Sequence, residues 1–289
     1  MDNRAEVREF LTTRRAKVTP RDVGLPDVGQ RRVPGLRRGE VAALAGVSVE
    51  YYAKLERGVL AGVSPSILDA IARALHLDDA ERAHLLHLAQ AANGSGAILR
   101  SARRNRPAWT PHPTLVWILD SFRGPALVRN GRMDLLATNP LGRAMHASLY
   151  ERATGEVPNF ARYTFLDEDS HRFYPDWNTA ADTCVAILRT EAGRDPHDRR
   201  MHDLVGELST LSEDFRRRWG RHDVRLHGAG SKQFHHTTVG ELDLAYESMD
   251  LLSEPGLTLT LYAAEPASRS ADALALLASW TNAGHLQES

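Results

Sequence analysis

A short run from Ser48 to Lys54 has side chains suited to contacting bases and phosphates. Ser48 can cap a helix, because its hydroxyl accepts from an orphan backbone N–H. The exposed positions after it are then Val49, Glu50, Tyr51 and Lys54. A valine suits a thymine methyl, and a glutamate can accept a hydrogen bond from cytosine N4. The alternative for Glu50, in the first turn, is that it only balances the helix dipole.

Two short helices joined at a glycine would hold these side chains at the surface. Gly46 breaks the first helix where a sharp turn needs a positive φ. A second helix that crosses the first through such a turn can enter a DNA major groove. The segment 36–58 is therefore predicted to be a helix-turn-helix. The residues predicted to face its core are Val41, Leu44 and Ala45 in the first helix, and Tyr52 and Leu55 in the second.

This segment resembles the Cro/repressor-type (XRE) helix-turn-helix. The matching residues are Ala42, the turn Gly46-Val47-Ser48 and the closing Glu56-Arg57-Gly58. Ser64-Pro65-Ser66 and Asp78-Asp79-Ala80-Glu81 are helix-start patterns that fit the family's fourth and fifth helices. The likeness covers about residues 1–92. The alternative is a helical pair packed inside an unrelated domain.

The resemblance implies roles for individual residues. Val49 and Glu50 correspond to positions that face base edges. Ser48, Tyr51, Lys54 and Arg57 would contact the DNA backbone. The chain departs from the family where the second helix begins, since Arg37-Arg38 stands in place of the usual Thr-Gln. Arg38 would then replace a glutamine that holds a phosphate.

Charge is divided unevenly along the chain. Residues 1–105 contain 17 Lys and Arg against 12 Asp and Glu, a net charge of +5, and the remainder has a net charge of −6. Eight basic residues fall within 14–38, in and around a Pro- and Gly-rich loop, and they include Arg31, Arg32, Arg37 and Arg38. A basic segment beside a helix-turn-helix is typical of phosphate contact. A solvated surface is the alternative.

The second part of the chain indicates an α+β domain. Residues 93–106 are predicted to be a linker and 107–289 a second domain. Asn130-Gly131 between apolar runs predicts a hairpin with a type I′ turn. Three helical stretches follow near 177–192, 197–209 and 212–222, then strands at Lys232–Val239, Glu241–Met249 and Leu257–Ala264, and a last helix at Ala271–Trp280. The predicted architecture is an all-α domain of about five helices followed by an antiparallel sheet of about five strands with helices on a face.

The second domain is similar to the PAS-like sensor domain of the MmyB family of regulators. The likeness rests on short segments: Pro125-Ala-Leu-Val, Met133-Asp-Leu-Leu-Ala-Thr-Asn139-Pro140, Tyr174-Pro175-Asp176-Trp177, Ala192-Gly193-Arg194, Phe215 through Trp219 to His222-Asp223-Val224, and Gly240-Glu241-Leu242. It implies a small apolar, fatty-acid-like ligand. The candidate ligand residues are Met133, Asn139, Phe165, Tyr174, Trp177, Trp219 and His222, with His222 as a polar anchor. The alternatives are an aromatic core and a structural histidine.

Other function classes find little support in the sequence. No run of 18 apolar residues or apolar N-terminal signal is present, and a lone Cys184 fits a reducing cytoplasm, where it is expected to fill the core. His235 and His236 would point to opposite faces of a strand and therefore could not bind one metal ion together. No metal site is predicted, and no resident cofactor is predicted. No nucleophile elbow, phosphate loop or catalytic carboxylate pair is evident.

These observations predict a cytoplasmic, bacterial-type transcription regulator that is not an enzyme. It would bind a double-stranded operator as a homodimer and sense a small apolar ligand. The alternatives are a DNA-anchored scaffold whose second domain binds a protein or mediates dimerisation without a ligand, and a helix-turn-helix fused to an enzyme. The operator, the direction of regulation and the ligand are not determined by the sequence.

Overall fold

The computed structural model describes residues 3–26, 35–93, 109–153, 157–196, 198–221, 223 and 228–285, with side chains described up to residue 281. The chain forms two compact units. The first comprises Met1–Arg106, Arg189–Asp203 and Arg217–Leu226. The second comprises Pro107–Leu188, Leu204–Arg216 and His227–Ser289. The first unit thus includes two segments from the region 107–289, and the boundaries 1–92, 93–106 and 107–289 stay predictions.

The N-terminal region is helical, as predicted. Its helices are α1 (Asn3–Lys17), α2 (Arg38–Ala45), α3 (Val49–Glu56), α4 (Pro65–Ala74) and α5 (Asp79–Ala92), with a 3₁₀ turn at Arg21–Val23. Ser64 caps α4, with Pro65 in its first turn, and Asp78 forms a capping box with Glu81 at the start of α5. The helix starts predicted from short polar patterns are therefore confirmed.

The helix-turn-helix geometry follows from one glycine and one serine. Gly46 ends α2 with a φ of +66°, and the Ser48 side chain accepts a hydrogen bond from Tyr51 N at the start of α3. Tyr52 and Leu55 are buried, as expected. Leu44 is 40% exposed, so its predicted burial is wrong. The buried face of α2 comprises Val41, Ala42 and Ala45, and the angular spacing of a helix turns Leu44 away from it.

The second unit contains an antiparallel sheet in the order β2-β1-β5-β4-β3. The strands are β1 (Ala126–Asn130), β2 (Leu135–Thr138), β3 (Ala229–His236), β4 (Gly240–Asp250) and β5 (Leu257–Ala264). One face packs a small apolar core against a helix, α6 (Pro113–Ser121), through Leu119, Val128 and Leu259. The α+β architecture predicted from the sequence is confirmed.

The remaining helices lie between β2 and β3, except for the last, which follows β5. In order they are α7 (Pro140–Met145), α8 (Ala147–Arg152), α9 (Phe160–Leu166), α10 (Ser170–Phe173), α11 (Trp177–Arg194), α12 (Arg199–Leu211), α13 (Glu213–Trp219) and α14 (Arg269–His285). Residues of α11 belong to both units, since the division falls between Leu188 and Arg189.

Two local predictions in the sheet need correction. The hairpin between β1 and β2 exists, but its left-handed residue is Met133 (φ +66°) rather than the Asn130-Gly131 pair. The Asn130 side chain accepts from Arg132 N and Asp134 N and so favours a three-residue loop. The third strand ends at His236 rather than Val239, because the His236 ring accepts from the backbone N–H groups of the turn that follows.

The turn glycines give a stability prediction. A Cβ at Gly46 meets open space, so Gly46→Ala should cost only the left-handed strain of roughly 1–2 kcal/mol. A Cβ at Gly58 (φ +92°) would lie 2.3 Å from the Arg4 carbonyl oxygen, so Gly58→Ala should cost more. Gly206→Ala, inside α12 with open space around it, is the control and should stabilise by about 0.5–1 kcal/mol. Chemical denaturation measures all three. Equal changes in the free energy of unfolding for Gly46→Ala and Gly206→Ala would contradict the turn geometry.

Candidate functional site

The outer face of α3 presents the side chains that the sequence singles out for DNA. Val49 is 46% exposed, and Glu50 and Lys54 are exposed on the same short helix. Tyr51 is half-buried and packs against the core, while its backbone N–H is used by the Ser48 cap. The helix therefore offers an apolar group, an acid and a cation to one external surface.

A buried carboxylate ties α3 to the two helices before it. Glu56, at the end of α3, accepts from Thr12 Oγ1 (3.0 Å) and Arg15 Nη2 (2.7 Å) of α1 and from Arg38 Nε (2.8 Å) of α2. Burial by itself raises the pKa of Glu56, but the hydrogen bonds from Arg15 and Arg38 outweigh it and hold that pKa below its usual value. The ionised Glu56 therefore fixes the three helices to one another.

Arg38 reaches from this buried carboxylate to the surface. Its side chain is 57% exposed while its Nε donates to Glu56. Arg37 is exposed at the N-cap of α2, and Arg57 is exposed just after α3. These three cations are exposed, and arginine side chains commonly contact phosphate oxygens. Arg31 and Arg32 lie outside the described residues.

The second unit contains a cavity of about 280 Å³. Its walls come from β1, β3, β4, β5, α9 and the first half of α11. The apolar and aromatic lining residues are Leu127, Met133, Phe160, Tyr174, Ala180, Ile187, Phe234 and Tyr262. The polar and charged lining residues are Arg129, His146, Thr164, Asp176, Thr179, Thr183, Cys184, Ser231, Lys232, Gln233, Asp243 and Thr260. A concave, partly apolar cavity of this kind is typical of small-molecule sites.

Several polar groups in the wall are held neutral by burial. Burial lowers the pKa of His146 to about 4, and its Nδ1 lies 2.9 Å from the Gly142 carbonyl oxygen, so the ring is a neutral donor at that nitrogen. Burial raises the pKa of the Cys184 thiol to about 12, and its Sγ lies 3.3 Å from Met133 Sδ. The thiol is therefore a weak nucleophile in this wall.

The predicted ligand residues fall into separate groups. Met133 and Tyr174 line the cavity. Phe165 and Trp177 instead form an aromatic cluster with Phe215 and His171, in which the Trp177 indole donates to Thr164 O (3.0 Å). The Asn139 side chain uses its amide to cap α7 and to donate to Gly124 O. Trp219 belongs to the first unit, and His222 lies outside the described residues.

Sequence reasoning missed the two cations of the cavity, Arg129 and Lys232. The alternation of side chains along each strand could have indicated that both cations point inward. Lys232 shares a strand face with the buried Phe234, and Arg129 shares one with the buried Leu127. A cation at an inward position of a strand is unusual, since buried charges are costly.

A buried guanidinium organises the first unit. The Arg189 side chain is 0% exposed and forms an ion pair with Glu6 of α1. It also donates to the Trp219 carbonyl oxygen and stacks on the Trp219 ring, with Cζ 4.0 Å from the ring centroid. Nearby, Arg14 of α1 pairs with Glu81 (2.8 Å) and Asp223 (3.3 Å). Arg189 and Asp223 are thus bound to α1 through charges.

Two family models match the chain. Residues 6–85 match a helix-turn-helix domain, and residues 111–277 match the MmyB-like transcription regulator ligand binding domain. The second match alone covers more than half of the chain. The chain belongs to the MmyB-like transcription regulators. No curated protein matches it closely enough to count as a relative.

The MmyB-like assignment agrees with the geometry. The chain combines a helix-turn-helix DNA-binding domain with a ligand-binding domain, which is the composition of a ligand-responsive transcription regulator. Among the described helices, none is long and apolar enough to cross a membrane. The part of the chain that the structure describes holds no group of three or more His, Cys, Asp or Glu that could bind a metal. His236 is buried and His235 exposed, as their opposite directions on β3 require.

The Arg189 ion pair gives a second stability prediction. Arg189→Met leaves Glu6 buried without this partner and should destabilise the first unit by about 3–5 kcal/mol. Arg194→Met is the matched control on the same helix. It removes a more exposed pair with Glu191 and should cost less than about 1 kcal/mol. Chemical denaturation compares the two, and equal losses would show that the Arg189 pair does not organise the unit.

Proposed function

We propose that this MmyB-like regulator changes its affinity for DNA when a small, largely apolar molecule occupies the cavity of the second unit. The observation that carries the proposal is the cavity itself, about 280 Å³ with Leu127, Met133 and Phe234 in its wall. A protein-docking scaffold would have no need of such a space in its core. A fatty-acid-like ligand fits the apolar part of the lining.

The connection between cavity and DNA surface is proposed to run along α11. Residues of this helix from Thr179 to Ile187 line the cavity, and its last turns carry Arg189, which pairs with Glu6 of α1. A displacement of α11 on ligand binding would therefore act on α1. The ligand shifts DNA affinity only if it binds the two arrangements of α11 unequally.

DNA reading is proposed to use the outer face of α3. Val49 and Glu50 would contact base edges in the major groove. The residues proposed to contact phosphates are Arg31, Arg32, Arg37, Arg38, Ser48, Tyr51, Lys54 and Arg57. We further propose a homodimer, because helix-turn-helix proteins bind two-fold sites whose half-sites match two copies of the reading helix. The fold is proposed to be of the XRE type followed by a PAS-like domain.

Mutations should distinguish the proposed phosphate contacts from the proposed base contacts. Arg38→Ala should weaken binding to all sequences alike and lower the log–log salt slope by about one unit. Glu50→Ala should instead relax the preference at one or two base pairs, by about 1–3 kcal/mol. Arg73→Ala, an exposed cation on α4, is the control and should change neither quantity. Salt titrations and selection from a random DNA library measure both. A sequence-specific effect of Arg38→Ala would contradict its assignment to phosphate.

The ligand response is tested with dodecanoate and DNA selected by the purified full chain. Dodecanoate should raise the melting temperature and change the DNA affinity of the wild type. Ala180→Phe, which fills part of the cavity wall, should reduce both effects while leaving ligand-free DNA binding intact. If dodecanoate binds in the cavity and DNA affinity does not change, the proposed ligand response fails. If dodecanoate changes neither the melting temperature nor the DNA affinity, the scaffold without a ligand is favoured.

A further inference from the structure

A segment from the second family match lies in the first unit, beside α1. Residues 217–226 fall within the range 111–277 that matches the ligand binding domain, yet they belong to the first compact unit. The Asp223 carboxylate lies 2.5 Å from Lys17 Nζ and 3.3 Å from Arg14 Nη2, and both cations belong to the last turn of α1. Burial raises the pKa of Asp223, but Lys17 and Arg14 outweigh it and hold that pKa below its usual value. The ionised Asp223 therefore anchors the segment to the end of α1.

The same turn of α1 also holds the residue before α2. The Arg15 guanidinium donates to the Leu36 carbonyl oxygen (2.8 Å), and the Leu36 N–H donates to the Arg15 carbonyl oxygen (3.1 Å). Leu36 is followed directly by Arg37 and Arg38, which are two of the proposed phosphate contacts. The start of α2 and the segment 217–226 are therefore attached to one end of α1.

The anchored segment adds positive charge at this end of α1. Its one acid is Asp223, and its basic residues are Arg217, Arg218, Arg221 and Arg225. Lys17 and Arg14 already match the charge of Asp223. Arg221 is exposed, and among the residues that the structure describes it forms no ion pair. An exposed guanidinium beside the DNA-binding helices is suited to a phosphate oxygen.

We propose that Arg221 contacts a DNA phosphate beyond the base pairs that α3 reads, so that a segment matching the ligand binding domain takes part in DNA binding. The inference rests on the proposed DNA reading by α3 and adds a contact outside it. The contacts lead stepwise away from α3, because Glu56 of α3 holds Arg38 of α2, and α1 holds both the start of α2 and Asp223. An arginine two residues from Asp223 would therefore meet the DNA backbone on the flank of the site. Phosphate contacts set the register of a protein on DNA but carry no sequence information directly.

Salt titrations of the full chain on two duplexes test this contact. The short duplex ends at the last base pair selected by the purified chain, and the long duplex extends it by about ten base pairs, one helical turn, at each end. On the long duplex, Arg221→Ala should lower the log–log salt slope by about one unit and the affinity by about 3- to 10-fold at about 0.1 M salt, because one phosphate contact is lost. On the short duplex the variant should bind like the wild type, and its base preference should be unchanged.

Two further variants serve as controls for this experiment. Arg221→Lys keeps the positive charge and should keep the salt slope of the wild type on the long duplex. Arg216→Ala removes an exposed cation from the helix that precedes Arg221, α13. The Arg216 guanidinium lies 3.4 Å from the Ser209 carbonyl oxygen in the second unit, so its loss should leave the slope unchanged. The melting temperature of each variant shows whether the fold is intact.

The outcomes distinguish this inference from the proposed function. An unchanged slope for Arg221→Ala on the long duplex, or an equal loss for Arg216→Ala, overturns the flanking contact while base reading by α3 stands. A change in base preference for Arg221→Ala overturns its assignment to a phosphate. If the wild type selects no DNA sequence, base reading by α3 fails. The same change of slope for Arg221→Ala on a long, unselected duplex would then still support the phosphate contact, and its absence would overturn it.

Discussion

The guanidinium of Arg189 cannot stay charged in a protein interior unless other groups compensate it. Glu6 supplies the opposite charge, and the Trp219 carbonyl and ring supply a hydrogen bond and a π-face. Breaking such a pair costs several kcal/mol, because one buried charge is left behind. Within the first unit, the last turns of α11 and the end of α13 are therefore held against α1.

A second set of ion pairs, around the buried Glu56, connects α1 to α3. Glu56 joins α1, α2 and α3 through Thr12, Arg15 and Arg38. Arg38 belongs both to this network and to the exposed surface beside α3. The network and the exposed surface beside α3 therefore share a residue, and the orientation of α3 depends on where α1 lies. Both networks use short, charge-assisted hydrogen bonds, which specify geometry more sharply than apolar packing does.

Local chemistry made much of this fold predictable. Gly46, Ser48, Ser64 and Asp78 act through their own backbone or the next turn, so their patterns predicted the helix ends correctly. Contacts between residues that are far apart in the sequence could not be predicted from it. Glu6 and Arg189 are 183 residues apart, and Arg129 and Lys232 meet one cavity only after β4 and β5 align their strands. The predicted ligand residues included only part of the cavity lining, since Met133 and Tyr174 line it, whereas Trp177 and Phe165 pack with each other.

The central claim is that occupancy of the cavity reaches the DNA-binding helices through α11. Hydrogen–deuterium exchange of the full chain, with and without saturating dodecanoate, tests it directly by following backbone amides in α11, α1 and α3. The account predicts that protection changes at the cavity-lining part of α11, in its last turns around Arg189, and in α1. A change confined to the strands and helices around the cavity, with α1 unaffected at full ligand occupancy, would contradict it.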